Sequence, residues 1–360
     1  MIVRSASFRD LDRIESLYRE STQLAQRGPS TEDSPVPQAT LLRVWHALTM
    51  SLSSLVPISD SADALLVADD PQEGIVGFIQ AQAPSGRVKS WQILNFCTAQ
   101  SAAGHFAREQ LLAALCSHGL EHGVHRFHVR LPLDHPLVPV FLGQGFVQFA
   151  TEQILYRDQP TADSDATVVH TPFLRPARRD DIAAIYLLYL RTTPSQVADF
   201  EGPSLNTWQS SYAQGTIARM GRDDVRHFVV ERPGVVAWAA IRPASSTRPE
   251  QLSLMCEAHD AALRESFIDA VLAELKPGPA SCVLRHYDSE LIRSLQQRGF
   301  AVYGTQLLLV CELRAKVKVA SPARRRKRLL ATAGIARSVP RSEPGGYVVL
   351  RSSGEGQPPA

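Results

Sequence analysis

Trp91 to Gly119 reads as an apolar strand (WQILNFCT), a run of small residues (AQSAAG) and a helix with an apolar face (HFAREQLLAALCSHG). This order makes an anion cradle. The first N–H groups of a helix have no intrahelical acceptor, and the helix dipole adds positive potential at the same end. After Gln100, the short side chains of Ser101, Ala102, Ala103 and Gly104 leave backbone N–H groups open to a phosphate oxygen.

Other residue types with chemical potential are weaker as patterns. His118, His122, His125 and His128 fall within eleven residues. The first two stand at i, i+4 on a helix end, a spacing that suits a metal. No third ligand stands at motif spacing, so ordinary surface or core histidines are favoured and no metal is expected. Cys97 ends the central strand, and Cys256 stands at the corresponding place later in the chain. A nucleophilic thiol needs an activating histidine and an electropositive pocket, whereas packing of a small residue in a strand explains both cysteines. Glu257, beside Cys256, is a weak candidate for a general base.

These residues need a scaffold, and hydrophobic spacing supplies one. Ile2–Ala6 reads as a strand, and Asp10 can cap a helix carrying Leu11, Ile14, Leu17 and Tyr18 at helical spacing. Residues 28–37 read as a loop and 41–55 as a second helix. Residues 64–68 and 74–80 are two strands joined by an acidic turn, Asp69 to Glu73. After the Trp91–Gly119 unit come a strand at 125–131, a short helix at 134–143, and a last strand pair opening at Gly145-Phe146 and ending near Arg157.

The pattern then restarts. FLRPARRDDIAAIYLLYLR (173–191) matches IVRSASFRDLDRIESLYRE (2–20) at an offset of 171, pairing Arg4 with Arg175 and Asp10 with Asp181. GVVAWA (234–239) follows GIVGFI (74–79), EQLSLMCE (250–257) follows WQILNFCT (91–98), and QRGF (297–300) follows GQGF (143–146). Four blocks repeated in one order mean two copies of one fold. The expected organisation is a first domain at 1–158, a linker at 159–171, a second domain at 172–314 and a basic tail at 315–360.

The repeat unit resembles the GNAT (GCN5-related N-acetyltransferase) fold: strand, two helices, three antiparallel strands, helix, strand, helix, strand pair. The residues that carry the resemblance are the opening R-x-A/P…D-[LI], the acidic hairpin with its GIVGF-like strand, and the late G-F. The resemblance covers about 2–157 and 173–313. It implies an α/β fold of the α+β type with a mixed sheet, built as two tandem acyl-CoA N-acyltransferase domains. It further implies that acetyl-CoA, as co-substrate, enters beside the splayed central strand. The pantetheine would then pair with Phe96, Cys97 and Thr98, and the pyrophosphate would sit on Gln100, Ser101, Ala102, Ala103 and Gly104.

The departures are specific. The family's pyrophosphate loop is Gln/Arg-x-x-Gly-x-Gly/Ala; here the glycine of the first half is one place late and Phe106 occupies the second small position. The second half offers Glu257-Ala258-His259-Asp260-Ala261, without glycine and with two acids that repel phosphate. The first half is therefore expected to hold the CoA, and the second to be degenerate. The family's proton-donating tyrosine, four residues before the late glycine, falls on Phe141 and Leu295, neither of which can donate. The catalytic residues are thus unknown from sequence, and positioning would have to carry the reaction. The expected activity is acyl transfer, most simply acetyl transfer, to a small-molecule or peptide amine. The alternative is a catalytically inactive, GNAT-like binding or regulatory protein.

Composition bounds the rest. The chain has 360 residues, 44% hydrophobic and 21% charged, ordinary for a globular protein with room for two cores. No apolar run reaches membrane-spanning length, and five scattered cysteines fit reduced thiols, so a cytoplasmic protein is expected. Residues 314–360 carry eleven Lys/Arg against two Glu, which leaves 27 basic and 34 acidic side chains for residues 1–313. The run Arg324-Arg325-Arg326-Lys327-Arg328 can contact nucleic-acid phosphates, but it has no interleaved aromatics, and a solvated extension is favoured. The acceptor and the oligomeric state are not legible in the sequence.

Overall fold

The computed structural model describes residues 1–26, 63–83, 89–158, 174–203, 205–206, 208–209, 225–245, 249–257 and 260–313. The helix expected at 41–55, the loop at 28–37, the linker at 159–171 and the tail at 315–360 lie outside them. Residues 1–314 form one compact unit.

The first half runs β1 (Ile2–Ser5), α1 (Leu11–Gln26), β2 (Asp63–Asp70), β3 (Gly74–Gln82), β4 (Ser90–Thr98), α2 (Ala102–Glu121), β5 (Arg126–Pro132), α3 (Val138–Gly143) and β6 (Val147–Arg157). The second half runs β7 (Leu174–Pro176), α4 (Ile182–Thr192), α5 (Ser195–Glu201), β8 (Arg226–Glu231), β9 (Val235–Arg242), β10 (Glu250–Cys256), α6 (Ala261–Ala273), β11 (Ala280–Arg285), α7 (Ser289–Gln296) and β12 (Ala301–Glu312).

The repeat read from the sequence is physical. Arg4 pairs with Asp10 at 2.7 Å, and Arg175 pairs with Asp181 at 2.7 Å. Gly145 and Gly299 both take a left-handed backbone, φ +85° and +84°, which turns the chain sharply after α3 and α7. The following phenylalanines make the same backbone bond, Phe146 to the Phe141 carbonyl and Phe300 to the Leu295 carbonyl, each at 3.1 Å. The role expected of Asp10 is corrected. Its carboxylate binds the Ser7 N–H and hydroxyl and Arg4, closing a short turn ahead of α1.

The strands form one twelve-stranded sheet in the order β1-β2-β3-β4-β5-β12-β6-β11-β10-β9-β8-β7. Two pairs are parallel, β4 with β5 and β10 with β11. The strand pair expected after Gly145-Phe146 is also corrected. Each half ends in one long strand, and the two halves exchange these strands: β12 lies between β5 and β6, and β6 lies between β12 and β11.

Exchange places residues of each half in the core of the other. Alternate strand residues face opposite sides of a sheet. On one face α2 packs Leu111, Leu112 and Leu115 on Leu66, Ile79 and Trp91, and Leu307 and Leu309 from β12 join this first-half cluster. On the same face α6 and α7 pack Phe267, Ile268 and Leu295 on Val230, Ala239 and Ile241, with Leu155 from β6 among them. The opposite face carries α1, through Ile14 and Leu17 on Val67 and Phe78, and α4, through Ile185 and Leu188 on Val229 and Trp238. Between those helices α5 sets Val197 on Ala150 and Leu308.

Candidate functional site

In the first half the two parallel strands part early. β4 pairs with β5 over Ser90–Gln92 and makes no further ladder bonds to it. Phe96, Cys97 and Thr98 remain paired with β3 on the other side, so their edge toward β5 is open. The register between β3 and β4 shifts at Leu94, a bulge that strengthens the local twist. Asn95 follows it, buried, donating to Gln80 Oε1 at 2.6 Å, while its own Oδ1 has no partner among the described residues.

The loop expected to hold an anion follows directly. Ser101 caps α2, its hydroxyl accepting from the Gly104 N–H at 3.2 Å. Gln100 and Ala102 are exposed, and Ala103 is half-buried. Gly104 is buried against the loop: a Cβ there would stand 2.1 Å from the Ala99 carbonyl oxygen. The glycine that the family pattern places one position earlier thus serves close packing of the loop on the helix. Two residues unnoticed in the sequence complete this end. Arg108 Nε donates to Thr98 Oγ1 at 3.1 Å, and His135 accepts from the Leu137 N–H at 3.2 Å. Burial, then the charge of Arg108, hold the His135 ring below its usual pKa, so it is neutral at pH 7. From Thr98 to Arg108 there is no acidic side chain. A pyrophosphate therefore fits this loop.

The second half makes the same strand–loop–helix unit and closes it with its own charges. β10 pairs with β11 over Glu250–Leu252 and then departs, with no bulge against β9. Asp260 caps α6, accepting from the Leu263 N–H at 2.9 Å, and pairs with Arg232 at 3.2 Å. Glu257 pairs with Arg191 at 2.7 Å. A carboxylate already occupies the positive helix end. Counting from the two caps, the counterpart of Arg108 is Phe267, fully buried.

The remaining sequence candidates resolve as follows. Phe141 and Leu295 are fully buried, and Phe141 meets Phe96 edge-on at 5.7 Å. Burial pushes the Cys97 thiol up to about 11 and Cys256 up to about 12, so neither is a thiolate at neutral pH. His118 and His122 lie with ring centres 4.0 Å apart, and the His122 Nδ1 donates to the His118 carbonyl. Among the described residues no group of three metal-ligating side chains occurs.

A cavity of about 390 Å³ forms a trough across the face that carries α4 and α5. It runs from Gln92, Ile93 and Leu94 of β4 to Ser253, Leu254 and Met255 of β10. Its floor is polar. Glu152 accepts from Gln306 Nε2 at 2.5 Å, from Arg130 at 3.3 Å and from Arg285. Arg285 also bonds Glu201, which accepts from the Tyr189 hydroxyl at 2.8 Å. At the second-half end stand Tyr287 and Asp288. Burial pushes the Tyr287 hydroxyl up to about 12 and the Asp288 carboxyl up to about 7, the latter partly offset by the Arg285 backbone and charge. Sequence reasoning passed over this end. The signal was present: polar residues directly after the C-terminal end of a parallel strand are where such sheets hold ligands.

No family model matches the chain, and no curated protein matches it. Solved structures do. A tandem GNAT protein from the clavulanic acid biosynthesis pathway is 12% identical, covered over 88% of this chain and 99% of its own, with a TM-score of 0.51. A GCN5-related glucosamine N-acetyltransferase region of a fungal multi-domain GH3 β-N-acetylglucosaminidase is 14% identical over 86% of this chain and 38% of that one, with a TM-score of 0.55. At these identities the likeness is one of fold.

Proposed function

We propose, from the tandem GNAT fold that this chain carries, an acyl-CoA-dependent N-acyltransferase whose first half holds the CoA. The observation behind this reading is the contrast between the two strand–loop–helix units. One has an open β4 edge, an acid-free loop and Arg108; the other is filled by Asp260 and Glu257. When bound, acyl-CoA supplies a thioester carbonyl for an amine to attack. The chain's part is to position it. The backbone of Phe96–Thr98 offers a ladder edge to the pantetheine amides, while Gln100–Gly104 and Arg108 receive the pyrophosphate. The trough, which starts at the β4 bulge, takes the acceptor amine. Neither Phe141 nor Leu295 can protonate the leaving thiolate; in this reading water does so, and catalysis comes from approximation. The same two residues favour the second reading, an inactive binding protein on the same fold.

The test is calorimetric titration of the full chain with acetyl-CoA, alongside Ala102→Glu and Ala261→Glu. Both alanines are exposed first residues of helices, where an acid stabilises the fold. One site on the order of micromolar, lost in Ala102→Glu and kept in Ala261→Glu, supports the reading. Equal binding in both variants overturns the placement. No binding by the parent chain leaves the inactive reading.

A further inference from the structure

The second-half end of the trough has a chemistry that acyl transfer at β4 does not use. Gln306 is 5% exposed, and its Nε2 faces Glu152. A carboxylate accepts only, so the amide orientation is set and the Oε1 must point away from Glu152. That oxygen is buried without a partner among the described residues, and Gln306 lines the cavity. A buried acceptor left unmade costs free energy that a ligand donor would recover. Farther along, Asp288 lines the cavity and forms no ion pair among the described residues. Arg130 and Arg285 are matched by Glu152 and Glu201, so Asp288, when ionised, gives this end a net negative charge. Tyr189, Tyr287 and Trp238 add aromatic surface.

We infer that this end of the trough binds an elongated organic cation whose nitrogens bond the Asp288 carboxylate and the Gln306 carbonyl. Gln306 is on β12 and Asp288 follows β11, two strand spacings or about 10 Å across the sheet, so the nitrogens must be separated by a comparable span. Aromatic rings beside a carboxylate suit an ammonium or guanidinium group. The inference rests on the reading of the trough as the acceptor's site, and it narrows the acceptor to a molecule with two separated amino groups.

The experiment titrates the full chain with 1,7-diaminoheptane, 1-aminoheptane and 1,7-heptanediol, and separately with acetyl-CoA. The parent chain should bind the diamine about 10- to 100-fold more tightly than the monoamine, the worth of one charge-assisted hydrogen bond. The diol should bind weakest. Asp288→Asn should weaken the diamine and the monoamine alike, by about 10- to 100-fold, and leave acetyl-CoA binding unchanged; Asp288→Glu should restore part of the affinity. Equal binding of the three probes, or an Asp288→Asn chain that binds the amines as tightly as the parent, overturns the inference. Acetyl-CoA binding without diamine preference defeats this inference alone. Diamine preference without acetyl-CoA binding upholds it and defeats the acyltransferase reading.

Discussion

Glu152 and Gln306 lie opposite one another in the two central strands, joined side chain to side chain at 2.5 Å. They also stand at corresponding places in the two repeats, each in the strand that its half lends to the other. The pair therefore marks the seam of the molecule. Both are buried, and Glu152 holds arginines from β5 and β11 on either side.

Glu152→Gln should leave two arginines facing the trough without their shared carboxylate. Arg285 keeps Glu201, so the cost should fall below that of a fully broken buried pair, at about 2–3 kcal/mol. Urea unfolding reads this directly. Adding Gln306→Glu returns a carboxylate one strand away, beside β5, and should recover part of the loss. A swap no better than the single variant would mean that hydrogen bonding, not charge, holds the seam.

The pH dependence has a definite sign. Asp288 is raised from an ordinary carboxyl value to about 7 when folded. Its contribution to stability is therefore fully present below pH 4 and is lost as pH rises through 7. Asp288→Asn should remove this slope and make the chain more stable than the parent at pH 8, by up to roughly 4 kcal/mol. Identical pH profiles for parent and variant would show the carboxyl to be solvated.

Gly104→Ala and Ala102→Glu should separate folding from binding. The added methyl at 104 would meet the Ala99 carbonyl, which is backbone and cannot swing aside. The cost should reach or exceed the usual ~1–3 kcal/mol of overpacking. Ala102→Glu should leave the melting temperature unchanged or slightly higher. A Gly104→Ala chain as stable as the parent would show that the loop shifts freely.

Arg108→Gln should weaken acetyl-CoA binding about ten-fold by removing one charged phosphate partner, and should flatten its salt dependence. Its hydrogen bond to Thr98 is part-buried, so circular dichroism should confirm an unchanged fold. Undiminished affinity would place the phosphates elsewhere.

Much of this molecule is legible in its residues. The acidic hairpin, the repeated Arg and Asp of the two openings and the two late glycines are local, because each depends on neighbours a few positions apart; the pairing of Arg4 with Asp10 and of Arg175 with Asp181 came with the structure. Local chemistry repeats where sequence repeats, and the two-copy fold followed from it. The acids at Glu257 and Asp260 were legible for the same reason, whereas the cap at Ser101 came only with the structure. The role of Gly104 was not: its place in a motif suggested phosphate contact, while its packing against Ala99 arises from the loop's path in space.

The sequence by itself determined most of the strands and helices of the repeat, their order, their duplication and the contrast between the two loops, since these rest on periodicity, turn chemistry and charge. Tertiary structure decided which strands meet. Pairing β6 with β11 and β12 with β5 joins residues far apart in the chain, and no local preference distinguishes that exchange from two closed halves. The trough follows from the exchange, because Arg130, Glu152, Gln306 and Arg285 become neighbours only when four strands from both halves lie side by side.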